Sequence, residues 1–256
     1  MELIDTHCHL DVDEFDNDRD TVLACCRAKG IHRIVVPAID REGWDNLVSL
    51  CGQERGLYPA LGLHPVLLEK HKDHDLVDLE KYLAITNPVA VGEIGLDFYI
   101  KHLDQVRQKN LFNQQLAIAR NTHLPVLLHV RKAHDETLMA IKKSKVQGGI
   151  AHAFNGSLQQ AEQYIELGFK LGFGGTMTYE KSSNIRKLAK ELPLESIVLE
   201  TDAPDMVVEG HHGERNSPEY LIDCLNALAE IRNESPEFIA EQTTKNACDV
   251  LNLSCN

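Results

Sequence analysis

The composition is that of an ordinary globular protein without a membrane span. Its 256 residues are 43% hydrophobic and 25% charged, with a formal net charge of −13. No run approaches the roughly 18 consecutive apolar residues that a membrane-spanning helix needs. A protein that grips long duplex DNA usually presents a basic face. The composition therefore excludes a membrane protein and predicts no extended duplex-binding surface.

The amino terminus and the cysteines indicate a reducing compartment. Residues 1–10, MELIDTHCHL, have neither the positive start nor the apolar block of a signal peptide. The seven cysteines include no Cys-x-x-Cys pair, which is typical of reduced thiols. We predict a cytoplasmic protein that forms one domain over residues 1–256. The sequence leaves the oligomeric state open, and a monomer is compatible with it.

Eight short apolar runs recur along the chain, and several lack the alternation of a half-exposed strand. Such runs are typical of a parallel sheet that is covered on both faces. The predicted strands are residues 2–5, 31–37, 58–63, 88–93, 125–130, 148–153, 168–173 and 196–201.

Segments of helical length separate these runs. Residues 18–30 carry an apolar stripe and end at a glycine, and residues 103–122 form the longest such segment. Ser217-Pro218 and Ser235-Pro236 each provide a helix cap followed by proline, which predicts two helix starts. Alternating strands and helices in a chain of this length predict an α/β fold, a (β/α)8 TIM barrel. The alternative is an open doubly wound sheet, but no glycine-rich phosphate loop follows residues 2–5.

Ionisable residues accumulate where the predicted strands end, which in a barrel is the face that carries the active site. In chain order these residues are His7, His9, His64, Glu93, His129, His152 and Asp202. Any one of them is readily explained as a packed imidazole or a turn-capping carboxylate. However, buried ionisable groups without partners are costly. Their accumulation at one face favours a divalent-metal centre, because imidazoles and carboxylates are suitable ligands.

The number of candidate ligands favours two metal ions over one. A single catalytic ion takes about three protein ligands and keeps one position open. Glu93 is the natural bridge, since each carboxylate oxygen can bind one ion. Paired ions about 4 Å apart suit hydrolysis of phosphoesters. Histidine-rich ligation leans toward zinc or manganese, while magnesium prefers oxygen ligands, so the identity of the ions stays open.

The strand-end motifs resemble those of the TatD family of metal-dependent deoxyribonucleases, among the amidohydrolase-type barrels, and most closely its YjjV-type subgroup. The resemblance extends over residues 3–253. It is carried by IDTHCHL (4–10), LGLHP (61–65), AVGEIGLD (90–97), LPVLLHVR (124–131), AHAFNGS (151–157) and LETDAPD (199–205). Related amidohydrolases often carry a modified lysine after strand four, and Glu93 at that point favours the TatD-like branch. The chain departs from the pattern at Asn155, where many relatives have a serine.

The resemblance implies a TIM barrel with a divalent-metal centre that hydrolyses phosphoester bonds. It also places His64 near a substrate phosphate. It implies two sets of metal ligands, one of His7, His9, Glu93 and Asp202, and one of Glu93, His129 and His152.

Residue chemistry suggests a mechanism for such a centre. A metal-activated water is the expected nucleophile, with Asp202 as general base. His64 and Arg131 are expected to neutralise charge on the phosphate, although Arg131 is equally well explained as a surface or helix-start residue. Asp202, Glu93 and His64 are therefore the predicted catalytic groups, and His64 and Arg131 the predicted substrate-binding groups.

Other polar residues near the motifs are predicted to have structural roles. Asp97 and Tyr99, after strand four, are expected to support the site rather than react. Five further histidines are predicted at the surface or in helices, namely His71, His74, His102, His123 and His134.

The leading hypothesis is a phosphoesterase, a deoxyribonuclease that acts on DNA ends or short single strands. The acidic net charge favours small or end-bound substrates. The alternative is a hydrolase of the same fold that acts on a small molecule such as a lactone, cyclic amide or phosphotriester. A non-catalytic metal-binding or scaffold protein is the third possibility; the set of six potential ligands speaks against it, and ions fully saturated by protein ligands would favour it.

Overall fold

The computed structural model describes residues 2–254 and shows an eight-stranded parallel sheet in the order β1 to β8. Each strand pairs with its sequence neighbour, so the predicted (β/α)8 fold is confirmed. The strands are β1 (Leu3–Asp5), β2 (Ile31–Pro37), β3 (Leu57–Leu61), β4 (Ala90–Asp97), β5 (Val126–Arg131), β6 (Gly149–Ala151), β7 (Phe169–Phe173) and β8 (Ile197–Leu199).

Nine α-helices occur in the described part of the chain, and most of them pack around the sheet. They are α1 (Arg19–Ala28), α2 (Trp44–Gln53), α3 (Asp73–Thr86), α4 (Gln105–Thr122), α5 (His134–Ser144), α6 (Leu158–Glu166), α7 (Ser183–Glu191), α8 (Leu221–Arg232) and α9 (Pro236–Leu251).

Local capping decides where several helices begin. The Asp104 side chain accepts hydrogen bonds from the backbone N–H groups of Val106 and Arg107 and starts α4. Ser235 caps α9 in the same way through Phe238 N–H, as predicted. The other predicted start was wrong, because Ser217 is buried and makes no capping bond. Pro218 opens a short 3-10 turn there, and α8 begins only at Leu221.

Strand β4 is longer than predicted. It continues four residues past Glu93 to Asp97, and its pairing with β5 shifts register between Val91 and Ile94. Glu93 therefore lies in an irregular stretch inside a strand rather than at its end. All eight residues of β4 are buried, so the apolar pattern alone did not show where the strand ends.

The interior of the barrel is a small apolar cluster, distinct from the larger core between the strands and the surrounding helices. Helix α9 packs onto this cluster through Ala247, Cys248 and Leu251. The strands contribute Ile4, Val35, Ala60, Ala90, Leu127, Ile150 and Val198.

The barrel closes through the segments that follow β1 and β8. Thr6 N–H donates to Leu199 O at 3.1 Å, Asp202 N–H to His7 O at 2.8 Å, and His9 N–H to Ala203 O at 2.8 Å. We call residues 6–9 and 199–203 the closing seam. The seam contains three of the predicted metal ligands, so closure of the sheet and assembly of the site use the same backbone.

The described residues form no helix that is both long enough and apolar enough to cross a membrane. Five cysteines are free thiols, as predicted, namely Cys8, Cys25, Cys26, Cys51 and Cys224. Cys248 is disulfide-bonded, so the prediction of reduced thiols was wrong at that position.

The link between α9 and β8 makes a first testable prediction. The buried Asn246 amide donates to the carbonyl oxygens of Leu194 and Ile197, each at 2.7 Å. Asn246→Ala removes both of these buried hydrogen bonds, although Leu194 O keeps the backbone N–H of Ile197 as a donor, and we expect it to lower the free energy of unfolding by about 1–3 kcal/mol. Urea denaturation measures this loss, with Lys245→Ala at the exposed neighbouring position as the matched control. If Asn246→Ala and Lys245→Ala lost the same free energy of unfolding, the stabilising role of the two Asn246 hydrogen bonds would be contradicted.

Candidate metal centre

Glu93 lies at the centre of the cluster and is only 1% exposed. Its two carboxylate oxygens face different histidines. Oε1 lies 2.9 Å from His152 Nε2, 3.1 Å from His129 Nδ1 and 3.3 Å from His64 Nε2. Oε2 lies 3.2 Å from His7 Nε2 and 3.6 Å from His9 Nε2. The carboxylate thus separates two groups of nitrogen atoms.

Asp202 belongs to the group on the Oε2 side. Its Oδ1 lies 3.7 Å from His7 Nε2 and 3.8 Å from His9 Nε2. The structure therefore brings all six predicted metal ligands together. Together with His64, these residues offer candidate ligand atoms in three trios, each within 4.8 Å, namely His7, Glu93 and His152; His7, His9 and Asp202; and His64, Glu93 and His129. Nitrogen and oxygen atoms at this spacing are suitable ligands for divalent metal.

The outer ring nitrogens of two histidines are held by acceptors. His9 Nδ1 lies 3.1 Å from Pro37 O, and His129 Nε2 lies 3.2 Å from Asp97 Oδ2. A carbonyl or carboxylate oxygen can only accept, so each outer nitrogen carries the proton. In the neutral ring the inner nitrogen then presents its lone pair to the centre, which is the arrangement that metal-binding histidines require.

His64 has the opposite tautomer. Its Nδ1 accepts the backbone N–H of Val66 at 3.2 Å, so in the neutral ring the proton sits on Nε2. His64 thus directs a hydrogen-bond donor, rather than a lone pair, toward Glu93. A donor at this point suits an anionic oxygen better than a metal ion, in agreement with the predicted phosphate-contacting role.

Asp97 connects His129 to the turn that follows β4. Besides His129, it accepts the backbone N–H groups of Tyr99 and Ile100 at 2.9 and 3.1 Å. Burial raises the pKa of Asp97, but these hydrogen bonds and His129 outweigh it and hold the pKa below its usual value. The supporting role predicted for Asp97 thus takes the form of a contact with a candidate ligand.

The buried carboxylates of the cluster require positive charge. Burial by itself raises the pKa of Glu93, but the adjacent His64, His152 and His7 leave it well below its ordinary value. Burial lowers the pKa of His152, yet Glu93 and Asp202 raise it to about 10. Burial and the positive charge of His152 lower the pKa of His7 to about 4, because the two rings stack at 3.9 Å. A divalent cation would supply the required charge with both imidazoles neutral.

Asp5 and Thr201 brace the closing seam, and neither was identified from the sequence. Asp5 Oδ1 accepts the N–H groups of His7 and Thr201, and Oδ2 lies 2.5 Å from Thr201 Oγ1. Asp5 is fully buried, and burial raises its pKa to about 7 despite these bonds. The signal in the sequence was a charged residue at the end of an otherwise apolar strand.

A cavity of about 570 Å³ opens beside the cluster, within the usual size of a small-molecule site. His129, His152 and Asp202 form one part of its wall, and Arg131 lies on its edge. Other parts of the wall are apolar, with Phe154, Phe173, Ile185 and Met206.

Arg131, predicted to bind substrate, lines the cavity at the end of β5. Its guanidinium stacks on the ring of Tyr99 at 3.8 Å, and both side chains are exposed. The guanidinium makes no hydrogen bond or ion pair with any residue between 2 and 254, which leaves its donors available to a ligand.

Two histidines predicted at the surface or in helices are buried near the site. His71 is 5% exposed, and its Nε2 lies 2.8 Å from His64 O, so the prediction of a surface or helical position was wrong for it. His134 begins α5, as a helical prediction allows, but it is buried and contacts Asn155 Oδ1 at 3.2 Å. Asn155, the point of departure from the family pattern, thus lies on the cavity wall with His134 behind it.

Comparison with known proteins agrees with this architecture. The family described as TatD related DNase matches residues 4–252. The chain is 41% identical to the uncharacterized metal-dependent hydrolase YjjV of Escherichia coli (strain K12), over 98% of each chain. It is 32% identical to the uncharacterized metal-dependent hydrolase YabD of Bacillus subtilis (strain 168), over 96% of this chain and 97% of that relative.

A solved structure shows the same fold. The crystal structure of YJJV, a TatD homolog from Escherichia coli K12, superposes with a TM-score of 0.95 at 41% identity and covers 98% of both chains.

The contact between Asp97 and His129 makes a second testable prediction. Asp97→Asn removes the charge that holds the outer proton of His129, so we expect about 10–100-fold weaker binding of one divalent ion. Zinc competition against a chromogenic chelator measures the affinity. Asp104→Asn makes the same chemical change at the helix cap of α4 and is expected to bind ions like the unmodified protein. An unchanged affinity in Asp97→Asn would contradict this role.

The buried His134 makes a third prediction, about pH. Burial lowers its pKa below the unfolded value of 6.5, although Asn155 and Asp135 oppose the shift. Below pH 6.5 the unfolded chain therefore binds a proton that the folded protein does not, and stability falls as the pH falls. The melting temperature of the metal-free protein, measured between pH 8 and 5, should depend less steeply on pH in His134→Gln than in the unmodified protein. Parallel curves would show that His134 does not contribute.

Proposed function

This chain belongs to the TatD related DNase family and is a metal-dependent hydrolase, and from that premise we propose that it hydrolyses phosphodiester bonds at DNA ends or in short single strands. The proposal includes two divalent ions, zinc, manganese or magnesium, held at the centre around Glu93.

The proposal rests on the two oxygens of the Glu93 carboxylate, which face different groups of histidines. Its Oε2 faces His7 and His9, and its Oε1 faces His129 and His152. This division supports two ions, of which one would be held by His7, His9, Asp202 and Glu93, and the other by His129, His152 and Glu93. Two ions held close together suit phosphoester hydrolysis in particular, because the attacking and the leaving oxygen both need charge stabilisation.

The ions, when bound, supply Lewis acidity that lowers the pKa of water and offsets the charge of the phosphate. The side chains do the remaining work. Asp202 is the general base, since its carboxylate borders the cavity and is 14% exposed at the side chain, and it takes the proton of the attacking water. The Nε2–H group of His64 donates to a phosphate oxygen, as its tautomer allows.

Arg131 binds a phosphate at the edge of the cavity. Its unpaired guanidinium provides a planar set of donors that suits phosphate oxygens, and the ring of Tyr99 supports it from one side. The net charge of −13 opposes a long grip on DNA. One arginine at the cavity therefore supports recognition of a strand end rather than of an extended duplex.

The decisive experiment is cleavage of end-labelled single-stranded DNA by chelator-stripped protein, with Zn²⁺, Mn²⁺ and Mg²⁺ added back separately. We expect metal-dependent shortening that Glu93→Ala abolishes. Asp202→Asn should lower kcat by about 10²–10⁴-fold, the usual contribution of a general base. Glu80→Ala, an exposed carboxylate of α3, is the matched control and should cleave like the unmodified protein.

The substituted proteins also test for contaminating nuclease, because they are purified in the same way. Shortening that persists in Glu93→Ala would refute the proposal. So would a protein that binds ions but cleaves no DNA with any of the three metals. A panel of a lactone, a cyclic amide and a phosphotriester would then test the alternative of a small-molecule hydrolase.

A further inference from the structure

Glu200 is a buried carboxylate whose position is explained neither by the metal centre nor by the packing of the fold described above. It follows β8 directly and is 1% exposed. Its Oε2 has no hydrogen-bond partner among residues 2–254. Burial of a carboxylate without full compensation is costly, and a position that merely filled space would be better occupied by an apolar side chain.

The neighbouring strand leaves space for this carboxylate. A Cβ atom on Gly172 of β7 would overlap Glu200 Oε2, and a Cβ atom on Gly174 would come within 2.9 Å of the Glu200 carbonyl oxygen. The absence of side chains at these two positions is therefore a condition for Glu200 to lie where it does.

The other oxygen of Glu200 contacts the segment that carries His152. Oε1 accepts the backbone N–H of Ala153 at 2.5 Å. Ala153 has a φ of +44°, a left-handed conformation that alanine rarely adopts. The same Oε1 lies 3.8 Å from His152 Nδ1, and that nitrogen is buried without a hydrogen-bond partner in the described chain. Glu200 thus faces both the ring of His152 and the backbone that follows it.

This arrangement resembles those of His9 and His129 but is looser. Their outer nitrogens lie 3.1 and 3.2 Å from Pro37 O and Asp97 Oδ2, whereas Glu200 Oε1 lies 3.8 Å from the outer nitrogen of His152, beyond hydrogen-bond distance. We propose that Glu200 is a positioning residue that holds His152 with Nε2 directed at Glu93, by fixing the backbone of Ala153 and by occupying the Nδ1 side of the ring. This inference rests on the metal centre of the proposed function but not on its DNA substrate.

The test measures zinc binding to metal-stripped protein by calorimetry. Glu200→Gln keeps the shape and an acceptor for Ala153 but replaces the carboxyl group beside His152 with an amide, and Gly172→Ala displaces the Glu200 side chain without changing any candidate ligand. We expect both variants to bind one zinc ion about 10–100-fold more weakly. Glu195→Gln, the same change at an exposed site just before β8, should bind zinc like the unmodified protein. Zinc affinities equal to the unmodified protein in both Glu200→Gln and Gly172→Ala would overturn the proposal.

A second measurement uses only the unmodified protein and therefore does not depend on whether a variant folds. Long-range ¹H–¹⁵N spectra of the imidazoles in the zinc-loaded unmodified protein should show His152 protonated at Nδ1 and zinc-bound through Nε2. Zinc binding through Nδ1 would overturn the proposal. If the unmodified protein binds zinc but does not cleave DNA, the proposed function fails. Both measurements still test whether Glu200 positions His152. If the protein binds none of zinc, manganese and magnesium, the centre itself is refuted.

Discussion

The burial of the Glu93 carboxylate is the constraint on which the rest of the structure depends. A carboxylate that is 1% exposed is tolerated only if opposite charge or hydrogen-bond donors surround it. The required partners, histidines from the segments after β1 and β3 and from β5 and β6, come from distant parts of the sequence. They meet only because eight parallel strands place these segments at one end of a barrel. The fold is thus the means by which one buried charge is compensated.

The same end of the barrel is also where the sheet closes. His7, His9 and Asp202 lie in the closing seam, and their own backbone groups make two of its hydrogen bonds. Asp5 adds a side-chain link from β1 to Thr201 across the seam. A cation that binds these side chains stabilises the closed barrel over the unfolded chain. Ligand binding and barrel stability are therefore coupled through shared residues.

The supporting groups of the histidines come from neighbouring elements rather than from their own. Pro37 of β2 accepts from His9, Asp97 of β4 contacts His129 of β5, and Glu200 after β8 faces His152 after β6. His9 and His129 are each held between two elements, so the orientation of these two rings depends on the packing of the barrel. Such preorganisation is what a reactive centre requires, because it avoids reorganisation during the reaction.

The sequence by itself determined the fold class and the six candidate ligands. Apolar runs without alternation indicate buried parallel strands, and in a barrel the residue after such a run lies at the open face, whatever its distance along the chain. Local signals were reliable where the interaction is local, as at Ser235, and failed where tertiary burial prevailed, as at Ser217.

Only the tertiary structure decided the rest, namely the tautomer of His64, the placement of Arg131 on Tyr99, and the contacts of Asp5 and Glu200. Thr201, the partner of Asp5, lies 196 positions away in the sequence, and the space for Glu200 is a property of glycines on a different strand. A sequence pattern shows which residue types follow a strand. Hydrogen-bond partners, burial and charge compensation arise only when separate strands are brought side by side.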